Sequence, residues 1–247
     1  MLKRQLRKTL ATGGAFAALP VLGMSIVPSS GRADNDNNGS QDEKRMIQIG
    51  LSAASSSGIQ LNMARKDRDM VGLGSYLVNV VGGCNGCHSA GPPTEWCCDV
   101  PGNPPNSGIG NPYLLSPPFS GSKQVNPKTY LGGGRDFGAL SSSGLHIFSR
   151  NLTPDKNGVP AGDLSLSDFK QILRTGVDLD QLHPNCPLNT PNCLNPPFNG
   201  AVLQVMPWPT LQSMTDRQLT AIYTFLSAIP CIDTVVAGQP QLRNVCQ

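Results

Sequence analysis

Cys84-Asn85-Gly86-Cys87-His88 is the stretch on which the reading of this chain turns. Two thiols three positions apart, followed at once by an imidazole, have the spacing of c-type haem attachment. The chemistry explains the spacing. Both thiols can add to the vinyl groups on one edge of a porphyrin, and the adjacent imidazole then reaches the iron from one face. Cys84 and Cys87 are therefore expected to be the thioether attachments and His88 the proximal ligand of one covalently held haem c. Two rival readings carry less. A thioredoxin-like Cys-x-x-Cys belongs in a βαβ context that the flanking sequence lacks, and half of a zinc site needs a second ligand pair at suitable spacing. The sequence holds no internal repeat and no second haem motif.

An iron with two axial side chains needs a distal ligand, and Met or His are the usual choices in low-spin electron carriers. The candidates after the motif are His146, His183, Met206 and Met214. Met214 is better explained as the hydrophobic staple of the next helix. His146 lies in the apolar piece Leu145-His146-Ile147-Phe148, where a satisfied core or surface histidine is expected. Met206 sits in Val205-Met206-Pro207-Trp208-Pro209, whose prolines stiffen the backbone without competing for iron. Met206 is accordingly the expected distal ligand. Buried propionates need donors or a cation, which makes Arg135, Arg150 and Trp208 candidates to hold them. The plainer alternative leaves Arg150 and Asp155 as solvated loop charges.

Outward from the motif, Met70, Val71, Leu73, Leu77, Val78 and Val81 recur at helical spacing and predict a helix over 67–81 that leads into Cys84. Residues 34–66 begin polar and run through Ser-rich sequence, and predict a flexible, largely disordered linker. Residues 89–129 are rich in Pro, Gly, Ser and Asn and predict an irregular loop. Tyr130 to Asp155 holds short strand-like pieces between glycines. Ser165 or Ser167 can cap a helix carrying Phe169, Ile172 and Leu173 that stops at Gly176. A second loop rich in Pro and Asn spans 177–204. Thr215-Asp216-Arg217-Gln218 fits a capping box, and Leu219, Ile222, Tyr223, Leu226 and Ile229 give a helix from Thr215 to about Ala228 one apolar face.

These pieces, taken in order, resemble a class I cytochrome c, and more closely the monohaem domains of cytochrome c subunits of periplasmic alcohol, aldehyde and gluconate dehydrogenases. The matching segments are Gly74-Ser75-Tyr76-Leu77 before the haem motif, Gly132-Gly133-Gly134-Arg135, Arg150-Asn151-Leu152-Thr153-Pro154-Asp155, Asp168-Phe169 with Arg174-Thr175-Gly176, Met206-Pro207-Trp208-Pro209, and the Thr215 helix. They span roughly residues 70–230. The resemblance implies an all-α, cytochrome c-like fold over 67–230 around one covalent haem, with long disulfide-stapled loops rich in Pro and Gly. It also implies ligation by His88 and Met206, and a crossing of the first and last helices with Gly74 against an aromatic such as Tyr223. The implied role is carrying single electrons from a dehydrogenase-type donor to a cytochrome or oxidase acceptor, with no substrate bond broken. The chain departs from those subunits in having one haem motif, no C-terminal anchor and extra cysteine-bearing loops. The rival function is a haem enzyme or sensor with an open or displaceable distal site.

Whole-chain features bound these readings. Lys3, Arg4, Arg7 and Lys8 precede an interrupted apolar run from Leu10 to Val27 and then Gly31-Arg32-Ala33, the order of a secretory signal over residues 1–33. Export to the periplasm and no retained membrane span are expected. Cleavage after Ala33 removes five cations and no acids, so 14 Lys and Arg remain against 16 Asp and Glu, a net charge of about −2. That balance offers no basic stripe for nucleic acid. An exported chain oxidises or occupies its thiols. Beyond the haem pair, six cysteines permit three disulfides. Cys231 with Cys246 is expected to tether the tail, residues 231–247. Cys97 and Cys98 are expected to pair with Cys186 and Cys193; the alternative is local Cys186–Cys193 closure beside a Cys97–Cys98 link.

Overall fold

Asp36–Ser56 forms a 21-residue helix, α1, where the composition predicts a flexible linker. Small residues explain the difference. The face of α1 that packs inward is built from Ile47, Gly50, Leu51 and Ala54, of which only Ile47 and the partly buried Leu51 are bulky. At Gly50 a Cβ would fall 1.9 Å from the Gly72 carbonyl oxygen, so the two backbones cross too closely for any side chain. With glycine and alanine at two of these positions, the face leaves only a weak hydrophobic periodicity to detect. The remainder of the expected linker is also tied down: Ile59 is buried, and the Asn62 amide donates to the Ala228 carbonyl at 2.7 Å. The computed structural model describes residues 36–90, 95–96, 125–140, 144–180, 185–188, 190–191, 193–234 and 246. The expected signal segment, His183, and Cys97 and Cys98 lie outside the described residues.

The expected helix before the motif begins with Asp67, whose carboxylate accepts from the amides of Asp69 and Met70 and caps α2, Arg68–Ser75. From Tyr76 to Val81 the chain widens into a π-helical turn. The Gly82 amide donates to Leu77 and that of Cys84 to Val78, which turns the chain into the single helical turn α3, Asn85–His88. A π segment at this point re-aims the turn that carries Cys87 and His88, a device common at functional sites.

Two later helices close the bundle. Ser165 caps α4, Leu166–Thr175, and Gly176 ends it in the left-handed conformation at φ 72°. The short α5, Trp208–Leu211, precedes α6, Asp216–Leu226. Thr215 and Gln218 form the reciprocal capping box at its start. Helix α6 crosses α2 where a Cβ on Gly74 would meet the Ala221 carbonyl oxygen at 2.0 Å and the Phe225 Cβ at 2.7 Å. The crossing is as expected, but its aromatic is Phe225. Tyr223 instead turns toward α4, stacks edge-on with Phe169 at 5.5 Å and donates its hydroxyl to the Leu164 carbonyl. Arg217 on α6 binds Glu43 on α1, and Lys170 and Arg174 on α4 bind Asp216. A backbone oxygen cannot yield to a methyl group 2.0 Å away. Gly74→Ala is expected to destabilise the fold by about 1–3 kcal/mol, with urea denaturation as the measure.

As expected the described chain is mostly helical, and it adds to the helices a small antiparallel sheet, β1 (Asp136–Ala139) with β2 (His146–Phe148). Buried Ile147 and half-buried Phe137 and Phe148 account for the pairing. Of the expected disulfides, Cys231–Cys246 is present, with an S–S distance of 2.04 Å. Cys186 bonds Cys193 rather than Cys97 or Cys98. Only seven positions separate them, and the backbone bond from Cys186 to Leu194 already brings the two chain segments together. Among the described residues no helix is long and apolar enough to cross a membrane.

Candidate functional site

His88 is buried, 9% exposed, and its Nδ1 lies 2.8 Å from the Arg150 carbonyl oxygen. A carbonyl can only accept, so Nδ1 carries the proton in this bond. Burial pushes the His88 imidazole below its ordinary range, and the bond to Arg150 only partly offsets that. The neutral ring with its proton on Nδ1 therefore presents an Nε2 lone pair, and no described protein group binds that atom. This is the state a ring nitrogen needs to ligate a metal, with the other nitrogen's bond fixing tautomer and orientation. The glycine run sets the approach. Gly133, at φ 73°, donates its amide to the His88 carbonyl at 2.7 Å. A Cβ there would meet Arg150 and Asn151 backbone atoms at 2.5 Å, so only glycine lets this segment pass.

Cys84 and Cys87 lie on one turn, joined by the bond from the Cys87 amide to the Cys84 carbonyl, and both thiols are unpaired. Cys87 is exposed. Burial, and the neighbouring Cys87, push the Cys84 thiol up to about 11. A redox-active Cys-x-x-Cys needs a lowered thiol pKa, so this environment disfavours the thioredoxin-like reading. Between the thiols, Asn85 is buried and accepts from the Leu131 amide at 2.9 Å. Its Nδ2, and the buried Ser89 hydroxyl beyond His88, have no hydrogen-bond partner among the described residues. Behind the turn runs a hydrogen-bond chain. Buried Tyr130 donates to Asn79 at 2.5 Å, Asn79 to Ser75 at 3.0 Å, and Ser75 to the Gly50 carbonyl at 2.6 Å, which links the site to α1.

The other expected site residues are distributed unevenly. Arg135 comes to the motif: its guanidinium donates to the Gly86 carbonyl at 2.5 Å and lies over Phe137. Nearby Glu95 is pushed up by burial and pulled back by Arg135. Arg150 supplies the carbonyl for His88, while its guanidinium binds buried Asp178 at 2.6 Å and also Asp180. Arg150 is thus neither a solvated loop charge nor a free cation. Burial pushes the Asp155 carboxyl up, but hydrogen bonds from Val159 and Asn157 more than offset this and leave it below the usual range. Asp155 thereby organises its own loop. Trp208 packs on Gly176, where a Cβ would lie 2.2 Å from its ring.

Met206 is half-buried and packs against the same core cluster as Cys84; no hydrogen bond joins its segment to His88. Val205 before it holds φ 66°, a left-handed conformation that a β-branched side chain rarely adopts. His146 is exposed on β2 and paired with Asp136, and Met214 packs between the two core clusters, as a staple would.

The sequence reading gives no role to Asp178, Tyr130 or Asn79, and Ser75 enters it only within the segment Gly74-Ser75-Tyr76-Leu77. A polar residue inside an apolar helical run, as Ser75 and Asn79 are, was the available signal, because a buried polar group must find a partner. Among the described residues no three His, Cys, Asp or Glu side chains converge as a metal site. Compared with protein-family models, curated proteins and solved structures, the chain gives no match.

Proposed function

We propose that this chain is an exported monohaem c-type cytochrome that carries single electrons between partner proteins in the periplasm. The observation that carries the reading is the state of His88. Its imidazole is buried and neutral, its Nδ1 is committed to the Arg150 carbonyl, and its Nε2 has no partner among the described residues, directly after a pair of unpaired thiols on one turn. A covalently attached haem supplies a one-electron iron couple when bound. Cys84 and Cys87 would hold it by two thioethers, and His88 would ligate through Nε2. Met206 would be the distal ligand, on a segment stiffened by Pro207 and Pro209. Arg135 would fix the attachment turn through the Gly86 carbonyl.

His and Met ligation raises the potential relative to two histidines and leaves no open coordination position, which suits outer-sphere transfer and not substrate chemistry. The resemblance to dehydrogenase cytochrome subunits favours a dehydrogenase-type donor and a cytochrome or oxidase acceptor. The mature holoprotein is expected to titrate reversibly with one electron per chain and to keep its ferrous spectrum under carbon monoxide. A high-spin spectrum that shifts with carbon monoxide would instead favour the haem enzyme or sensor with an open distal site.

A further inference from the structure

We infer that Arg150 and Asp178 form a positioning pair that couples the proximal histidine to the loop carrying Met206; this rests on the haem reading above. Arg150 faces both ways. Its carbonyl takes the His88 Nδ1 proton at 2.8 Å, and its guanidinium binds the Asp178 carboxylate at 2.6 Å and that of Asp180. The Asp178 side chain is 2% exposed and the Asp180 side chain 52%, so the first bond is made out of water and the second largely in it. A buried carboxylate deprived of its cation is strongly unfavourable, whereas an exposed pair contributes little.

Asp178 is also where the distal loop is anchored. Its amide donates to the Ala201 carbonyl at 2.9 Å, Val177 bridges Val202, and the Leu203 amide donates to the Gly176 carbonyl at 2.6 Å. The chain returning through Ala201 and Leu203 reaches Met206 three residues later. Its last step is the left-handed Val205, a conformation that persists only where the surroundings hold it. The backbone of Arg150 thus orients one axial ligand while its side chain restrains the segment of the other. Arg150 is a positioning residue rather than a propionate donor.

The test uses mature holoprotein carrying Asp178→Asn, Asp180→Asn, Arg150→Lys or Arg150→Gln, read by the ferric near-infrared thioether band, the potential and the intact mass. Asp178→Asn is expected to keep the haem mass and to lower the ratio of thioether-ligated to unligated protein by about tenfold or more. Asp180→Asn should leave the ratio within about twofold. Arg150→Lys keeps the charge but loses the two-carboxylate fork, and should fall between them. An undiminished band in folded Asp178→Asn would overturn the proposal. Should Asp178→Asn fail to fold, an undiminished band in Arg150→Lys would do the same. A shifted potential with an intact band in Arg150→Gln, with both unchanged in Asp178→Asn, would return Arg150 to a propionate and also overturn it. Wild-type protein with haem but no thioether band removes the Met206 assignment and the coupling with it. Wild-type protein without haem removes the functional reading itself.

Discussion

His88→Ala is expected to leave little mature holoprotein, with the yield of haem-bearing chain falling at least about tenfold. The reason lies in what His88 does in the folded chain. Its ring is held by the Arg150 carbonyl, and its own carbonyl accepts from Gly133, so the side chain is fixed before any ligand arrives. Alanine removes the imidazole that would ligate the iron and opens a hole beneath Gly133 and Arg150. The measure is haem stain per unit of secreted protein in a host able to form thioethers. A holoprotein yield equal to wild type would separate His88 from the iron.

Met206→Ala is expected to act differently: covalent haem is retained, the near-infrared thioether band is abolished, and the potential falls by roughly 0.1 V or more, given that axial ligands tune haem potentials over about 0.8 V. A thioether favours ferrous iron, so its loss stabilises the ferric state and the sign is downward. Met214 supplies the contrast. It packs between the core clusters as the staple of α6, and Met214→Ala should lower stability while leaving the band in place. An unchanged spectrum in Met206→Ala would remove that residue from the site.

What could be read from the sequence was whatever local chemistry announces. The capping box of Thr215 and Gln218, the Ser165 cap and the Gly176 stop are local hydrogen bonds and backbone angles, and each falls where its residues indicate. The Cys84-Asn85-Gly86-Cys87-His88 motif is equally local, since two thiols and an imidazole on one turn need no distant partner to be noticed.

Features that depend on close approach were not legible. Helix α1 shows only a weak apolar stripe because Gly50 and Ala54 share its contact face with Ile47 and Leu51, and the partner of Gly74 is Phe225 rather than Tyr223 because the crossing angle, invisible in sequence, selects between neighbours on one helix. The Arg150 carbonyl was beyond reach for another reason. Every residue has a carbonyl, so nothing in an amino-acid type marks the one that orients His88. Its side chain was visible as a cation but not as the partner of Asp178, which lies 28 positions away.

The intact mass of the purified protein tests the central claim most directly. One haem bonded through Cys84 and Cys87 predicts a red protein whose mass under denaturing conditions equals the processed chain plus a single haem, reverting to the bare chain when both cysteines are replaced by serine. A colourless protein at the mass of the polypeptide alone, from a host with working haem-attachment machinery, would contradict it.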